Sequence, residues 1–245
     1  MGTSKAYGGP KGNPTWSSLS STITKAVNDG HPTSSSLAGV MSHLVSYLGG
    51  SRSASSGSSK TGGGAGIRTA RKLGSFLCDV KNHGFSNAVN NIAGGDNIND
   101  ANQAVNIIIE RCADKASSLD ECAAKAAIRD LLNDIGIESD TLQGIEEEFN
   151  SAIDKYSIKE LLVKYFGNYL YQHLCNDFYE KLIKEKGIRE TDNFYKDLRE
   201  YIIEKTTSIS NDKDLKHIDW KSTSGKNLVQ DIFDETLKAF ENYED

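Results

Sequence analysis

The chain has 245 residues, a mass of 26.7 kDa and a formal net charge of −6, which is enough for one domain with extensions or two small domains. No stretch approaches the roughly 18 apolar residues of a transmembrane helix, and residues 1–20 lack the cationic and apolar regions of a signal peptide. We therefore expect a cytoplasmic protein. Its four cysteines have no CxxC spacing and are expected to be reduced and buried.

The two parts of the chain differ in charge. Residues 1–95 contain 9 Lys and Arg against 2 Asp and Glu, together with 17 of the 22 glycines and all three prolines. The remaining residues contain 19 basic and 32 acidic side chains. This contrast predicts a flexible N-terminal arm at 1–33, a basic Gly/Ser-rich region at 34–95 with a linker at 49–66, and an acidic helical body at 96–245.

The beginning of the arm has no apolar periodicity. Residues 1–22 are rich in Gly, Pro, Ser and Thr, so we expect them to be extended and mobile. Trp16 has two interpretations: it docks onto the body and fixes where the arm leaves it, or it is an exposed anchor for a partner.

The basic region is predicted to contain helices at about 34–48 and 67–82, with one more short helix before Gly94. Between them lies a low-complexity segment in which Lys60 and Thr61 precede a run of glycines. A P-loop has its Lys and Ser/Thr after the second Gly, at the start of a helix that follows a strand. The segment is therefore interpreted as a flexible linker, mobile over 51–64.

The acidic body is predicted to be helical throughout, because no segment alternates with a period of two. Capping boxes at Ser118–Glu121 and Ser157–Glu160 mark two helix starts, and the second opens the longest helix, at about 158–186. The fold class is all-α, a helical bundle body preceded by a largely extended basic N-terminal region with one or two helices. The other predicted helices of the body lie at about 100–115, 142–156, 192–207 and 225–243.

No catalytic or metal-binding group stands out. Glu146, Glu147 and Glu148 are consecutive and cannot converge on a helix, because neighbouring positions point about 100° apart. The five histidines are scattered, and His173 is expected to be a hydrogen-bonded residue at the edge of an apolar stripe. Cys78 and His83 lack two further metal ligands. We therefore expect a non-enzymatic protein with no cofactor and no metal.

The basic region leaves a second function open. Nine basic residues among Ser and Gly are sufficient for salt-sensitive contacts with phosphates. The acidic body would oppose such binding, and Tyr7 and Trp16 are too few for a platform on which bases stack. A nucleic-acid-binding sensor is therefore the alternative to a protein that acts through protein partners.

Gly2 is the strongest candidate for modification. A Gly after the initiator Met leads to removal of Met1 and exposes the α-amine of Gly2, whose unperturbed pKa of roughly 7.7–8.0 leaves a nucleophilic fraction near neutral pH. Myristoylation would need Ser or Thr at position 6, where this chain has Ala6. A Gly2 that merely follows Met1 and has no such role is the alternative interpretation.

Short motifs at the start of the chain resemble a known family. The motifs Met1-Gly-Thr-Ser, Tyr7-Gly-Gly-Pro-Lys-Gly and Tyr47-Leu-Gly-Gly-Ser-Arg-Ser-Ala-Ser-Ser are similar to those of QatB, a component of the bacterial Qat anti-phage operon, over roughly residues 1–90. Family members usually carry more Arg in the stretch that corresponds to Ser53–Lys60. The resemblance implies three partners: an ATPase, a QueC-like enzyme and a TatD-like nuclease.

This resemblance also suggests a role for the arm. QueC-type enzymes activate a carboxylate with ATP, and a protein α-amine could replace ammonia as the attacking group. We expect Gly2 to be the modified residue, on an arm that threads into a narrow active site. The residues expected to contact partners are Thr3, Ser4, Tyr7, Gly8, Gly9, Pro10 and Trp16.

Overall fold

The computed structural model describes residues 13–28, 30–96, 98–209 and 218–241, and within these ranges it contains helices and no strand, which confirms the all-α prediction. In chain order the helices are α1 Pro14–Asn28, α2 Ser34–Tyr47, α3 Ser51–Ser55, α4 Gly64–His83, α5 Phe85–Ala93, α6 Ala101–Cys112, α7 Leu119–Asp134, α8 Leu142–Lys155, α9 Ile158–Lys186, α10 Ile188–Thr207 and α11 Thr223–Glu241.

Both predicted capping boxes are present. At the start of α7, the Ser118 hydroxyl accepts a bond from the backbone N–H of Glu121 at 3.2 Å, and the Glu121 carboxylate accepts one from the N–H of Ser118 at 3.1 Å. Ser157 and Glu160 form the same reciprocal pair at the start of α9. Each box satisfies N–H groups that have no partner inside the helix, so the sequence marks these two helix starts directly.

Helix α9 is the central element of the molecule. It has 29 residues and is therefore roughly 43 Å long, with α7, α10, α4, α11 and α1 packed around it. Side chains are buried on all its sides, among them Leu161, Tyr165, Phe166, Tyr169, Leu170, Leu174 and Phe178. A helix that is buried all round has to lie inside the molecule, and α9 provides the wall on which other elements place their side chains.

The N-terminal arm is shorter than predicted, because residues 14–28 form α1. The Asn13 side-chain oxygen caps this helix, accepting bonds from the N–H groups of Thr15 at 3.0 Å and Trp16 at 3.2 Å. Pro14 suits the first helical position because its missing N–H would have no partner there. A stripe of apolar residues faces the body and stabilises the helix despite its many Ser and Thr residues; it comprises Trp16, Leu19, Ile23, Ala26 and Val27.

The predicted boundary near residue 95 does not separate two cores. One cluster of buried apolar side chains extends from Trp16 to Phe240 and includes residues of every described helix, although α3 contributes only Ala54. Ion pairs join the two parts as well: Asp114 lies 2.9 Å from Arg68 and 2.8 Å from Lys72. The basic and acidic parts are therefore packed together, and their opposite charges face each other at this contact.

The described helices include none that is both long enough and apolar enough to cross a membrane.

Candidate functional site

A surface cleft of about 570 Å³ lies where the predicted linker meets α7 and α9. We call it the glycine-loop cleft. One wall is the loop 57–63 with the first turn of α4, and another is the N-terminus of α7. The middle of α9 contributes His173 and Asp177, which are both buried, and Asn13, the residue before α1, also lines the cleft.

The glycine loop is ordered, in contrast to the flexible linker predicted for 51–64. Gly63 has a φ of 102°, and a Cβ at this position would lie 2.3 Å from the carbonyl oxygen of Ala54. A Cβ at Gly62 would lie 2.9 Å from the ring of His173. These glycines are required by close packing and by a backbone conformation that other residues rarely adopt. The short helix α3 and the early start of α4 at Gly64 replace the rest of the predicted linker.

Asp120 holds the loop in place. Its carboxylate accepts bonds from the backbone N–H groups of Gly63 at 3.3 Å and Ala65 at 2.9 Å, at the N-terminus of α4. It also accepts bonds from the Tyr169 hydroxyl and, at 3.2 Å, from Nε2 of His173. Burial opposes ionisation of Asp120, but the bonds from His173, Tyr169 and the N–H of Ala65 prevail and lower its pKa to about 2.

Tyr169 completes this network from α9. Its hydroxyl accepts a bond from the N–H of Gly63 at 2.7 Å while donating to Asp120. A Cβ at Gly66 would lie 2.8 Å from Cζ of Tyr169, so α4 can approach the ring only because it has a glycine there. Burial, followed by the charge of Asp120, raises the pKa of the Tyr169 hydroxyl well above its usual value. Tyr169 therefore stays protonated and acts as a fixed donor.

Asp177 lies one turn beyond His173 on α9 and also lines the cleft, yet its surroundings are different. The residue is only 6% exposed, and no described residue forms a hydrogen bond or ion pair with its carboxylate at close range. Burial raises its pKa to about 6, against a smaller lowering by His173. A buried carboxylate without a partner is costly, so this group is able to bind a cationic or N–H-donating ligand.

Other lining residues of the cleft are basic or carry hydroxyl groups, in contrast to the acidic side chain of Asp177. Lys60 is exposed at the rim, whereas Arg68 is held by ion pairs with Asp114 and with Glu121 at 3.5 Å. Hydroxyl groups of the lining residues Ser59 and Thr61 bond to each other at 2.9 Å. The cleft thus combines an acidic floor, hydroxyl walls and a basic rim.

All the predicted site residues except Trp16 lie outside the described residues: Gly2, Thr3, Ser4, Tyr7, Gly8, Gly9 and Pro10.

Trp16 is described, and the structure favours its docking interpretation. The indole is 8% exposed and stacks on Phe178 with ring centroids 4.5 Å apart and planes at 16°. A side chain with so little exposed area is not an exposed anchor, so that alternative is corrected. Trp16 holds the start of α1 on the body, as the docking interpretation requires.

His173 is hydrogen-bonded as predicted but is more deeply placed than the edge of a stripe, at 2% exposed. The prediction missed Asp120 and Asp177. The spacing of His173 and Asp177 on one face of α9 was visible in the sequence. Asp120, by contrast, acts on a helix N-terminus that precedes it by more than fifty residues, and no local pattern indicates such a contact.

The described part of the chain contains no group of three or more His, Cys, Asp or Glu side chains that could hold a metal ion. His83 bonds instead to Asp79 at 3.1 Å, and Cys78 accepts a bond from Asn82 at 3.3 Å. None of the four cysteines forms a disulfide; Cys78 and Cys112 are buried, Cys175 is partly buried and Cys122 is exposed. The expectation that all four are buried is therefore wrong for Cys122.

Comparison with protein families gives a match to the family described as Qat anti-phage system associated protein QatB, over residues 49–240. The match covers most of the chain, including the acidic part in which the sequence alone showed no resemblance. No curated protein and no solved structure matches the chain.

Proposed function

The chain belongs to the QatB family of the Qat anti-phage defence system, and we propose that it acts in this system as a non-enzymatic adaptor and as the substrate of an N-terminal modification. Family membership implies a role in anti-phage defence and makes the other Qat components its partners. The more specific partners in this proposal are a QueC-like enzyme that modifies Gly2, an ATPase and a TatD-like nuclease, all acting in the cytoplasm.

The proposed reaction is an acyl transfer to the chain terminus. The QueC-like partner activates a substrate carboxylate with ATP, forming an acyl adenylate and releasing pyrophosphate. After Met1 is removed, the neutral α-amine of Gly2 attacks the acyl carbon; an amide C–N bond forms, AMP leaves, and the amine proton passes to solvent. An unperturbed α-amine with a pKa of roughly 7.7–8.0 has a reactive fraction at neutral pH.

The observation that supports this proposal most strongly is the anchoring of the chain at Asn13 and Trp16. Asn13 caps α1, and Trp16 is stacked in the core, so the segment before residue 13 begins at a fixed point on the body. The eleven residues from Gly2 to Gly12 can span at most roughly 40 Å. A terminus on such a tether can enter a partner's active site while the body stays folded.

Intact-mass spectrometry of the protein co-expressed with the other Qat components tests the proposal. We expect a mass above that of the chain beginning at Gly2, with the added mass localised to the N-terminal peptide. Gly2→Ile, which places a bulky β-branched residue after Met1, should retain Met1 and abolish both the added mass and defence. Gly2→Ala, which keeps a small residue and permits Met removal, is the matched control and should keep at least part of both. An unmodified terminus in cells with active defence would contradict the proposal.

The nucleic-acid-sensing alternative predicts a different result. Two basic side chains of its proposed surface, Arg68 and Lys72, are paired with Asp114 in the structure, which reduces the charge available to phosphates. Binding of DNA and RNA measured against salt separates the two functions. A log–log slope of several units would favour the sensor, whereas a slope near zero is expected for the adaptor.

A further inference from the structure

We propose that the glycine-loop cleft is a binding site for a ligand of the basic amino-acid type, whose guanidinium or ammonium group pairs with Asp177 and whose carboxylate faces Lys60 at the rim. This site is distinct from the N-terminal modification and does not depend on it. The ligand is either a free amino acid or the C-terminal residue of a peptide, since both present the same two charged groups.

The floor of the cleft supplies the first reason. Asp177 is 6% exposed, lines the cleft and has no hydrogen-bond or ion-pair partner among the described residues. Asp120 also lines the cleft, but it is less buried and accepts four hydrogen bonds. Buried carboxylates are normally paired, and a planar guanidinium offers two parallel N–H donors to such a group. Asp177 is thus the one of the two carboxylates that is available to a ligand.

The lining of the cleft gives the second reason and selects the ligand class. A volume of about 570 Å³ lies within the range of roughly 300–1,000 Å³ typical of small-molecule sites. The hydroxyls of Ser59 and Thr61 can accept further N–H bonds along the walls. Lys60 at the mouth would repel a ligand that is cationic throughout and attract one that ends in a carboxylate.

The shape of the cleft is held independently of any ligand. Asp120 and Tyr169 fix the loop through the N–H of Gly63, and a Cβ at Gly62 would clash with His173. A preformed site loses less free energy on binding because its loop is already ordered.

Two-dimensional ¹H–¹⁵N NMR titration of the full chain with L-arginine tests this proposal. We expect saturable shifts at the cleft in the micromolar-to-millimolar range. L-citrulline, which replaces the guanidinium by a neutral urea of similar shape, should bind at least about tenfold more weakly, since removing an ion pair of about 1.4 kcal/mol changes affinity tenfold. Agmatine, which lacks the carboxylate, should lose a smaller factor, about threefold, because Lys60 is exposed.

Variants locate the site. Asp177→Asn should weaken L-arginine binding at least about tenfold, whereas Asp140→Asn, which changes an exposed carboxylate outside the cleft, should leave it unchanged. A Gly-Gly-Gly-Arg peptide distinguishes the sources: tighter binding than the free amino acid indicates a peptide C-terminus, and weaker binding indicates the free amino acid. The proposal is overturned if neither probe binds saturably, or if Asp177→Asn binds L-arginine as well as the unchanged chain does.

Discussion

Residues 13–95 and residues 98–241 differ in composition yet are folded in the same way. The first region is basic and rich in Gly and Ser, and the second is acidic and rich in large apolar residues. Both contribute to one buried cluster, and the glycines of the first region lie against aromatic rings of the second. Part of the low apolar content of the first region therefore reflects close helix packing. Gly66 and Gly74 have no side chain and so let α4 approach Tyr169 and Trp220.

The largest expected effect comes from the glycine loop. Gly63→Ala places a Cβ about 2.3 Å from the carbonyl oxygen of Ala54 at a φ of 102°, so the loop has to move. We expect a loss of about 4 kcal/mol or more in the free energy of unfolding, measured by urea denaturation. Gly94→Ala is the matched control: it also has a positive φ, of 65°, but nothing within 4 Å of the added Cβ, and should cost about 1 kcal/mol. Equal losses for the two variants would show that the loop is a loose linker.

The second effect tests whether α1 belongs to the folded unit. Trp16→Ala removes a buried indole stacked on Phe178 and should cost about 3–5 kcal/mol in the free energy of unfolding. Trp16→Phe retains an aromatic ring and should cost clearly less. Thermal denaturation followed by circular dichroism measures both. A stability unchanged by Trp16→Ala would mean that α1 is not held on the body.

The two carboxylates of the cleft should respond to pH in opposite directions. The pKa of Asp120 is lowered to about 2 in the folded state, so its stabilising contribution is complete above its unfolded value near 4 and is lost as the pH falls from about 4 to about 2. At about 1.4 kcal/mol per unit, this amounts to about 2–3 kcal/mol. Asp120→Asn should destabilise the protein at pH 7 and remove this acid-sensitive contribution from the unfolding free energy.

Ionisation of Asp177 changes the free energy of unfolding in the opposite direction. Its pKa is raised to about 6, so its ionisation destabilises the folded state above that value, and this cost disappears as the pH falls from about 6 to about 4. Asp177→Asn should therefore stabilise the protein at pH 7, by about 1–2 kcal/mol, and flatten its stability between pH 4 and pH 6. Destabilisation by this variant at pH 7 would indicate that Asp177 has a partner in the folded protein.

The smallest effect concerns the charges that join the two regions. Arg68 and Asp114 form a pair at 2.9 Å in which both side chains are more than one-third exposed. A double-mutant cycle with Arg68→Ala and Asp114→Ala should give a coupling of about 0.2–1 kcal/mol that decreases with salt. A coupling above about 2 kcal/mol would show that this pair contributes more to stability than an exposed ion pair does.

The sequence predicts the helices well where an apolar stripe or a cap is local. The stripe on α9 and the boxes at Ser118 and Ser157 each occupy neighbouring residues, and the structure confirms them. Helix α1 was missed because its five buried residues are diluted by Ser and Thr, and their effect depends on contact with α9 and α2. A propensity for extended structure is outweighed there by tertiary packing.

The cleft was less predictable than the helices. The Thr61–Gly64 stretch has the composition of a linker, and its contacts with Asp120, His173 and Tyr169 give it a fixed shape. The role of Asp177 depends on the absence of a partner among the described residues, which is a property of the packed structure. Their spacing along α9 indicates that His173 and Asp177 share a face. It does not indicate that His173 has a hydrogen-bond partner among the described residues whereas Asp177 has none.

Equilibrium unfolding followed by two probes tests most directly whether the two regions form one unit. Trp16 and Trp220 are the only tryptophans, so a Trp220→Phe variant reports on α1 by fluorescence while circular dichroism reports on all helices. We predict that the two urea transitions of this variant coincide in midpoint and slope, because Trp16 and the body share one core. A fluorescence transition at clearly lower urea than the loss of helix would contradict the account and restore the first region as a separate, loosely attached arm.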